Sequence, residues 1–291
     1  MNGLIVVNQE IGHSEYKIKR LNEEFSTLGV TIDVRVNDGT LFKIENGSLG
    51  INLPKYDFVI YLDKDIYLAR ALEKAGYRLF DNADFIKLCD DKMLTNVYLA
   101  EMGIRMPKTM AAPLFYSKNL ENKNLTFIDD VISYLGLPLV FKRVYGSLGE
   151  GVFLVNSKEE FKDLYVKYCR DPLLFQEYIQ GSYGKSVRVL VIDNQIVGAF
   201  LRTNKCDFRS NYGNKASSEK IENPEKYYDF VRIILKIMDI EYAGIDLLLD
   251  ENDTPYFCEM NSNAFFEEFE KVTNINVARL YAQMIIRKVQ I

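Results

Sequence analysis

The sequence contains a single histidine, His13, and that scarcity excludes more chemistry than any other feature. Histidine-rich metal centres are ruled out, and a serine-histidine-aspartate triad would rest wholly on one residue near the N-terminus. We read His13 as a loop residue after the first strand, with substrate contact as the alternative. Cysteine is also sparse: Cys89, Cys169, Cys206 and Cys258 lie far apart with no CxxC pair, so neither a disulfide framework nor a zinc knuckle is indicated. No run approaches the ~20 apolar residues of a membrane span. Residues 1–8 lack the basic stretch and long apolar segment of a signal peptide. Thirty-six Lys+Arg against 41 Asp+Glu leave a formal net charge of -5, so no overall cationic field draws the protein to nucleic acid or anionic lipid, although a local basic pocket stays open. The expectation is a cytoplasmic protein with neither nucleic acid nor membrane as partner. Its chemistry has to come from carboxylates, lysines, arginines and backbone amides.

What is present is an ordinary globular composition, 48% hydrophobic and 26% charged over 291 residues, enough for roughly two domains. Residues 1–85 alternate strand-like runs (4–7, 31–36, 58–62) with helix-like ones (15–28, 64–75), the rhythm of a small parallel α/β layer. The first strand leads into Asn8-Gln9-Glu10-Ile11-Gly12 and not a GxGxxG turn, so a Rossmann dinucleotide site has little support. Asp90 or Asp91 can cap a helix over 92–102, closed by Gly103 and Pro107, which marks a domain entry. From about 125 the chain reads as helices alternating with hairpins, two α+β subdomains meeting near Pro172. There are no repeats and no low-complexity linker.

Four constellations stand out. In the first, β-type runs flank Tyr145-Gly146-Ser147-Leu148-Gly149-Glu150-Gly151, a hairpin with an amide-rich tip. Lys142 shares a face with Val140 and Val144; if that face is buried, the ammonium is costly unless an anion meets it. A lysine under a glycine loop suits a nucleotide triphosphate clamp, though an exposed lysine beside turn glycines would read the same way. The second joins Ala243-Gly244-Ile245-Asp246-Leu247-Leu248-Leu249 to Tyr256-Phe257-Cys258-Glu259-Met260-Asn261. Symmetric closure sets Leu249 against Tyr256 and Asp246 against Glu259, with Asn261 on the same face. Opposed carboxylates are destabilising in apolar strands, and a hard cation such as Mg2+ between them reverses the sign. The alternative is a solvated outer face or a one-residue slip.

The third is Leu173-Leu174-Phe175-Gln176-Glu177-Tyr178-Ile179, a buried strand ending in a polar hinge that could read an adenine edge, or end in a surface glutamate. The fourth is Arg188, Arg202 and Arg209, the last opening a polar loop through Ser210 and Asn211. Arginines converging on one pocket suit an acyl phosphate; scattered surface arginines are the alternative. Whether Arg188 and Arg202 share a face depends on whether the turn at Asp193-Asn194 has two or three residues.

Taken in order, Lys92, Lys142 before its glycine loop, Gln176-Glu177-Tyr178-Ile179, Arg209-Ser210-Asn211, Ile245-Asp246-Leu247 and Glu259-Met260-Asn261 resemble the ATP-grasp superfamily, and among its members the RimK-like amino-acid ligases. The resemblance covers residues 80–291 and, more loosely, the N-terminal layer. It implies a mixed α/β and α+β architecture, an ATP-grasp fold behind a small parallel α/β domain: 1–85 as that domain, 86–171 as a central subdomain with a glycine-rich lid, 172–291 as the metal-bearing subdomain. It places Lys92 and Lys142 on the phosphates of ATP, Ser147, Gly149 and Gly151 in the lid, and Gln176, Glu177, Tyr178 and Ile179 at adenine. Mg2+, with Mn2+ as an alternative ion, falls to Asp246, Glu259 and Asn261. Arg209, Ser210 and Asn211 sit toward the transferred phosphate, and Arg188 and Arg202 toward an acceptor carboxylate.

The implied reaction is ligation of an amine donor, such as an amino acid, to the carboxylate of a small molecule, peptide or protein tail, through an acyl phosphate and with ADP release. Such chemistry depends on positioning and charge neutralisation and needs no histidine. A glutamate ligase leads; a side-chain-linking peptide ligase, a carrier-linked ligase and a non-catalytic ATP-binding module are the alternatives, and homo-oligomerisation is left open. Two departures stand out. Ser186 occupies the place of an acidic ribose-binding residue. Asn263-Ala264-Phe265-Phe266-Glu267-Glu268 replaces a small-residue and Pro-Gly continuation, and its phenylalanines either reshape the acceptor region or pack the terminal helix.

Overall fold

The structure is a computed structural model describing residues 1–9, 12–114, 125–211 and 216–290. Its N-terminal layer runs β1 (Asn2–Val7), α1 (Glu15–Thr27), β2 (Thr31–Val36), β3 (Phe42–Glu45), β4 (Ser48–Ile51), β5 (Phe58–Leu62), α2 (Ile66–Lys74) and β6 (Leu79–Phe80). β1 is apolar on both faces because it is a central strand of the parallel sheet β2-β1-β5-β6. Leu4 and Val6 meet Leu68 and Leu72 of α2, while Ile5 and Val7 meet Leu21 and Phe25 of α1. The sequence reading leaves out the β3–β4 hairpin, whose Asn46 and Gly47 turn adopts positive φ at both positions. His13 lies in a short turn before α1, and its side chain is outside the described residues, as are Glu10 and Ile11.

Two short helices, α3 (Ala83–Asp90) and α4 (Lys92–Leu99), lead on; Asp91 caps α4 by accepting from Leu94 N at 2.8 Å, and the helix stops three residues short of the sequence reading. Then come β7 (Thr109–Ala111), α5 (Phe127–Leu135), β8 (Leu139–Arg143), β9 (Val152–Val155), α6 (Lys158–Tyr168) and β10 (Leu173–Glu177). The sheet order is β7-β10-β8-β9. α5 and α6 cover the face bearing Leu139 and Phe141, which leaves Val140 and Lys142 on the other. β10, which the sequence reading gives to the last subdomain, lies inside this middle sheet between β7 and β8. We therefore propose units that divide near 85 and near 180, not at 172.

The last unit contains β11 (Lys185–Ile192), β12 (Gln195–Asn204), β13 (Ala216–Lys220), α7 (Glu225–Leu235), β14 (Tyr242–Leu249), β15 (Pro255–Asn261), α8 (Glu267–Thr273) and α9 (Val277–Val289). Its antiparallel sheet has the order β13-β12-β11-β14-β15. One face packs on α7 through Val187, Val189, Ile245 and Leu247. The other changes character along its length. Leu190, Ile192, Phe200 and Tyr242 join the core shared with α1, α9 and the N-terminal sheet, whereas Ser186, Arg188, Arg202 and Asp246, buried on the same face, are polar.

Both hairpins differ from a symmetric closure. Asp193 and Asn194 form a two-residue turn with positive φ, closed by Ile192 against Gln195. A register shift between Leu190 and Val191 then sets Arg188 opposite Phe200 and Ser186 opposite Arg202, so both arginines share a face. In β14–β15, Leu249 pairs with Pro255 and Leu248 with Tyr256, one residue off the expected register. A bulge at Cys258 restores Asp246 opposite Glu259.

Gly184, ahead of β11, has φ +59, and a Cβ there would run into the Asn204 carbonyl and come within 2.8 Å of the Asp207 carbonyl oxygen. Its N–H donates to Phe208 O at 2.9 Å and its own carbonyl accepts from Asn204 N at 2.7 Å. Gly184→Ala is expected to cost at least about 2 kcal/mol of stability in urea denaturation, and to loosen the loop that carries Arg209.

Candidate active site

The open faces of the middle and last sheets enclose a cavity roofed by the glycine hairpin between β8 and β9. Lys92, Lys142, Ser147, Gly149, Gln176, Glu177, Tyr178, Ile179, Ser186, Arg209, Ser210, Asn211, Asp246 and Glu259 all line it. Arg188, Arg202 and Asn261 line an adjoining cavity with Lys64, Asp90 and Asn263. Ser147, Leu148, Asn211 and Glu259 border both, so the two chambers meet at the hairpin tip. Gly151 lies outside them: with φ +70, a Cβ there would meet the Arg143 side chain at 2.7 Å, so its role is to let the strand pass.

The hairpin is held at base and tip. Lys92, at the start of α4, donates to Gly146 O at 2.8 Å and Val144 O at 3.2 Å, and Tyr145 donates to Asp91 at 3.0 Å. Arg209 spans Asp207 with two N–H groups at 2.8–2.9 Å and reaches Gly149 O at 2.8 Å. The resemblance sets Arg209 at the phosphate; its guanidinium is here directed to the lid and to Asp207. Burial pushes the Lys92 ammonium down from its ordinary value, and Lys142 works in the same direction against Glu259. Lys142 is buried with no hydrogen bond or ion pair to any described residue. Two cations facing one cavity are the demand that an anion meets.

At the opposite wall the donors and acceptors are partly spent. Glu177 accepts from Lys108 N at 2.8 Å, and Gln176 donates to Thr109 Oγ1 at 3.0 Å, so Gln176 braces the strand. The hydroxyls of Ser186 and Ser210 lie 2.6 Å apart. Residues that the sequence reading does not place at the site complete the chamber, among them Val140, Val152, Leu248 and Phe208. Leu248 carried a signal, since it stands two positions from Asp246 on the same strand face; Phe208 carried none.

The paired carboxylates are not equivalent. Asp246 takes both Arg188 Nε and Nη2, and its Oδ1 also accepts from Arg202 Nη1 at 3.4 Å. Burial pushes its carboxyl up, but the two guanidinium charges hold it below the ordinary aspartate range. Burial disfavours the Arg188 charge, and Asp246 more than offsets this, leaving its pKa raised. Glu259, half-buried, faces this set; Asn261 Nδ2 lies 3.4 Å away, and a side-chain hydrogen bond links Glu259 to Asp246 itself. A carboxylate has about four lone-pair sites; Asp246 spends three on its arginines and also meets Glu259, so a cation seated between the two carboxylates and the Asn261 carbonyl would take the place of that contact. This donor set is all hard oxygen and fits Mg2+. Among the described residues no three His, Cys, Asp or Glu side chains cluster as a metal site by themselves. Cys258, at the bulge, is pushed up to about 11 by burial, which argues against a nucleophilic role.

The segment after Asn261 divides its phenylalanines. Phe266 is fully buried in the core beneath α9, whereas Phe265 is 37% exposed and lines the second chamber. Core packing therefore holds for Phe266, while Phe265 borders a cavity. Glu268 reaches from α8 to Arg202 at 3.3 Å, a partner the sequence did not suggest.

A cleft between two antiparallel sheets, a glycine hairpin above it, two lysines inside and paired carboxylates on its floor define an ATP-grasp protein. The model of the RimK-like ATP-grasp domain matches residues 89–285, and the chain belongs to that family of ATP-dependent ligases. It is 30% identical over 250 residues to the uncharacterized protein MG012 of Mycoplasma genitalium, covering 85% of this chain and 87% of that one. It is 30% identical to human beta-citrylglutamate synthase B over 263 residues, covering 85% of this chain and 66% of the relative. The fold is shared with the ATP complex of D-alanine–D-alanine ligase from Bacillus anthracis, with TM-score 0.73 and 17% identity over all of this chain and 97% of the other. Among the described residues no helix is long and apolar enough to cross a membrane.

Proposed function

We propose that the protein joins an amine, with L-glutamate the leading candidate, to a carboxylate acceptor by way of an acyl phosphate made from Mg-ATP. The observation that carries this is the meeting of the two chambers: one offers Lys92 and Lys142, the other Arg188 and Arg202, and Glu259 borders both. Lys142 and Lys92 would take the phosphates, with Lys92 turning from the lid carbonyls. Ser147 and Gly149 would cover them, and Glu177 with the backbone at Tyr178 and Ile179 would meet adenine. Glu259, Asn261 and Asp246, in place of the contact between the two carboxylates, would hold Mg2+, which neutralises phosphate charge when bound. Arg202, with Asn211 at the border, would orient the acceptor carboxylate; Arg188 supports the site through Asp246. Lys64 adds a further cation, although it is held by Asp90 at 2.5 Å.

With relatives that include a beta-citrylglutamate synthase, citrate is the first acceptor to try. The expected result is acceptor-dependent release of ADP and inorganic phosphate, followed by ion chromatography, with an amide product by mass spectrometry. Formation of AMP and pyrophosphate would rule out the acyl phosphate.

A further inference from the structure

Besides Lys64 at its border, the acceptor chamber receives from the N-terminal layer one buried polar side chain, which holds its wall. Lys17 of α1 is 2% exposed, and its ammonium donates to Asn263 Oδ1 at 2.9 Å and to Ala264 O at 3.2 Å. It stands 4.2 Å from the centroid of the Tyr242 ring. The same Ala264 carbonyl accepts from Tyr242 OH at 2.6 Å. Asn263 and Ala264 are walls of the chamber that holds Arg188 and Arg202. Ala264 sits so close to the sheet that a Cβ on Gly244 would meet its Cβ at 2.7 Å and Arg188 Cδ at 3.0 Å.

Among apolar neighbours a methionine would fill this place without the desolvation cost of a lysine. Facing Lys17 are Asp81 from the chain after β6, Tyr242 from β14 and Tyr281 from α9; burial pushes all three up, toward their neutral forms. Burial lowers Lys17 itself to about 7. The neutral amine still has two N–H donors, which matches the two oxygens it meets, so its hydrogen bonds do not depend on holding a charge.

We infer that Lys17 is a positioning residue, which pins the Asn263-Ala264 wall of the acceptor chamber to the N-terminal layer and so makes that layer a determinant of acceptor binding. This rests on reading the Arg188 and Arg202 chamber as the acceptor site. The role in acceptor binding is separable from general stability because Lys17 reaches this wall and not the nucleotide chamber.

The test compares wild type, Lys17→Met, Asn263→Ala and the double variant by amide hydrogen exchange resolved to peptides, and by calorimetry with Mg-ADP and with citrate. Loss of one or two hydrogen bonds, each worth about 1 kcal/mol, predicts roughly tenfold faster exchange over 262–266, with α2, α5 and α6 unchanged. Citrate should bind about tenfold more weakly to Lys17→Met and Mg-ADP within about twofold of wild type, with the two substitutions non-additive. Unchanged exchange over 262–266 in Lys17→Met would overturn the inference, as would equal weakening of citrate and Mg-ADP. If Lys17→Met does not fold, Asn263→Ala decides by the exchange over 262–266 alone. Citrate that binds no variant, wild type included, would count against the acceptor reading, and the exchange result would still decide whether Lys17 pins this wall.

Discussion

Glu259→Gln is expected to lower the Mg-ATP-dependent rate by at least about a hundredfold while leaving the unliganded fold within about 1 kcal/mol of wild-type stability. The contrast follows from the charges around Glu259. Glu259 stands directly across from Asp246, and among the described residues no cation forms an ion pair with it. Without a metal, removing this carboxylate relieves repulsion from Asp246 and forgoes attraction to Lys92 and Arg188, which oppose each other; with ATP, it removes a hard oxygen ligand from the place where charge has to be neutralised. The measurement is thermal or urea unfolding beside calorimetric titration with ATP at several Mg2+ concentrations. Wild type should show ATP affinity that rises with Mg2+, and the variant an affinity that barely responds. A variant that lost stability and kept its Mg2+ response would place the ion elsewhere.

The second large effect is structural. Arg188→Met should destabilise the protein by about 3–5 kcal/mol, because it leaves the Asp246 carboxylate buried with only the 3.4 Å ion pair to Arg202. Asp246→Leu on that background removes the stranded charge and should recover much of the loss, without recovering turnover. Denaturant unfolding of the single and double variants separates the cost of an unpaired charge from the cost of altered packing. Full recovery of activity in the double variant would remove Asp246 from the metal set.

Much of the architecture was legible because its signals are short-range. The apolar runs at 4–7 and 58–62, the Asp91 cap and the glycine hairpin each declare themselves within a few residues, and all four appear in the structure. β10 was assigned to the wrong sheet for a different reason: its residues read as a buried strand, but nothing within them says which neighbour they pair with. The opposition of Asp246 and Glu259 was right by way of a wrong register. Symmetric closure predicted Leu249 against Tyr256; the actual pairing is one residue away, and the bulge at Cys258 compensates. Bulges leave little trace in a single sequence, since the extra residue is an ordinary one.

By itself, then, the sequence determined the kinds of elements, the order of the motifs and the chemistry available: lysines, arginines and acids, with one histidine that no step requires. The tertiary structure alone decided how those charges are spent. Arg188 and Arg202 were expected to wait for an acceptor, and Arg188 is bound to Asp246; Arg209 holds the glycine hairpin, and Lys17, which no motif marked, ties the N-terminal layer to the wall of the second chamber. The reason is that a strand places side chains on alternate faces, so one turn or bulge of one residue decides which face each charge occupies. Those registers depend on contacts between segments far apart in the chain, and no local pattern carries them.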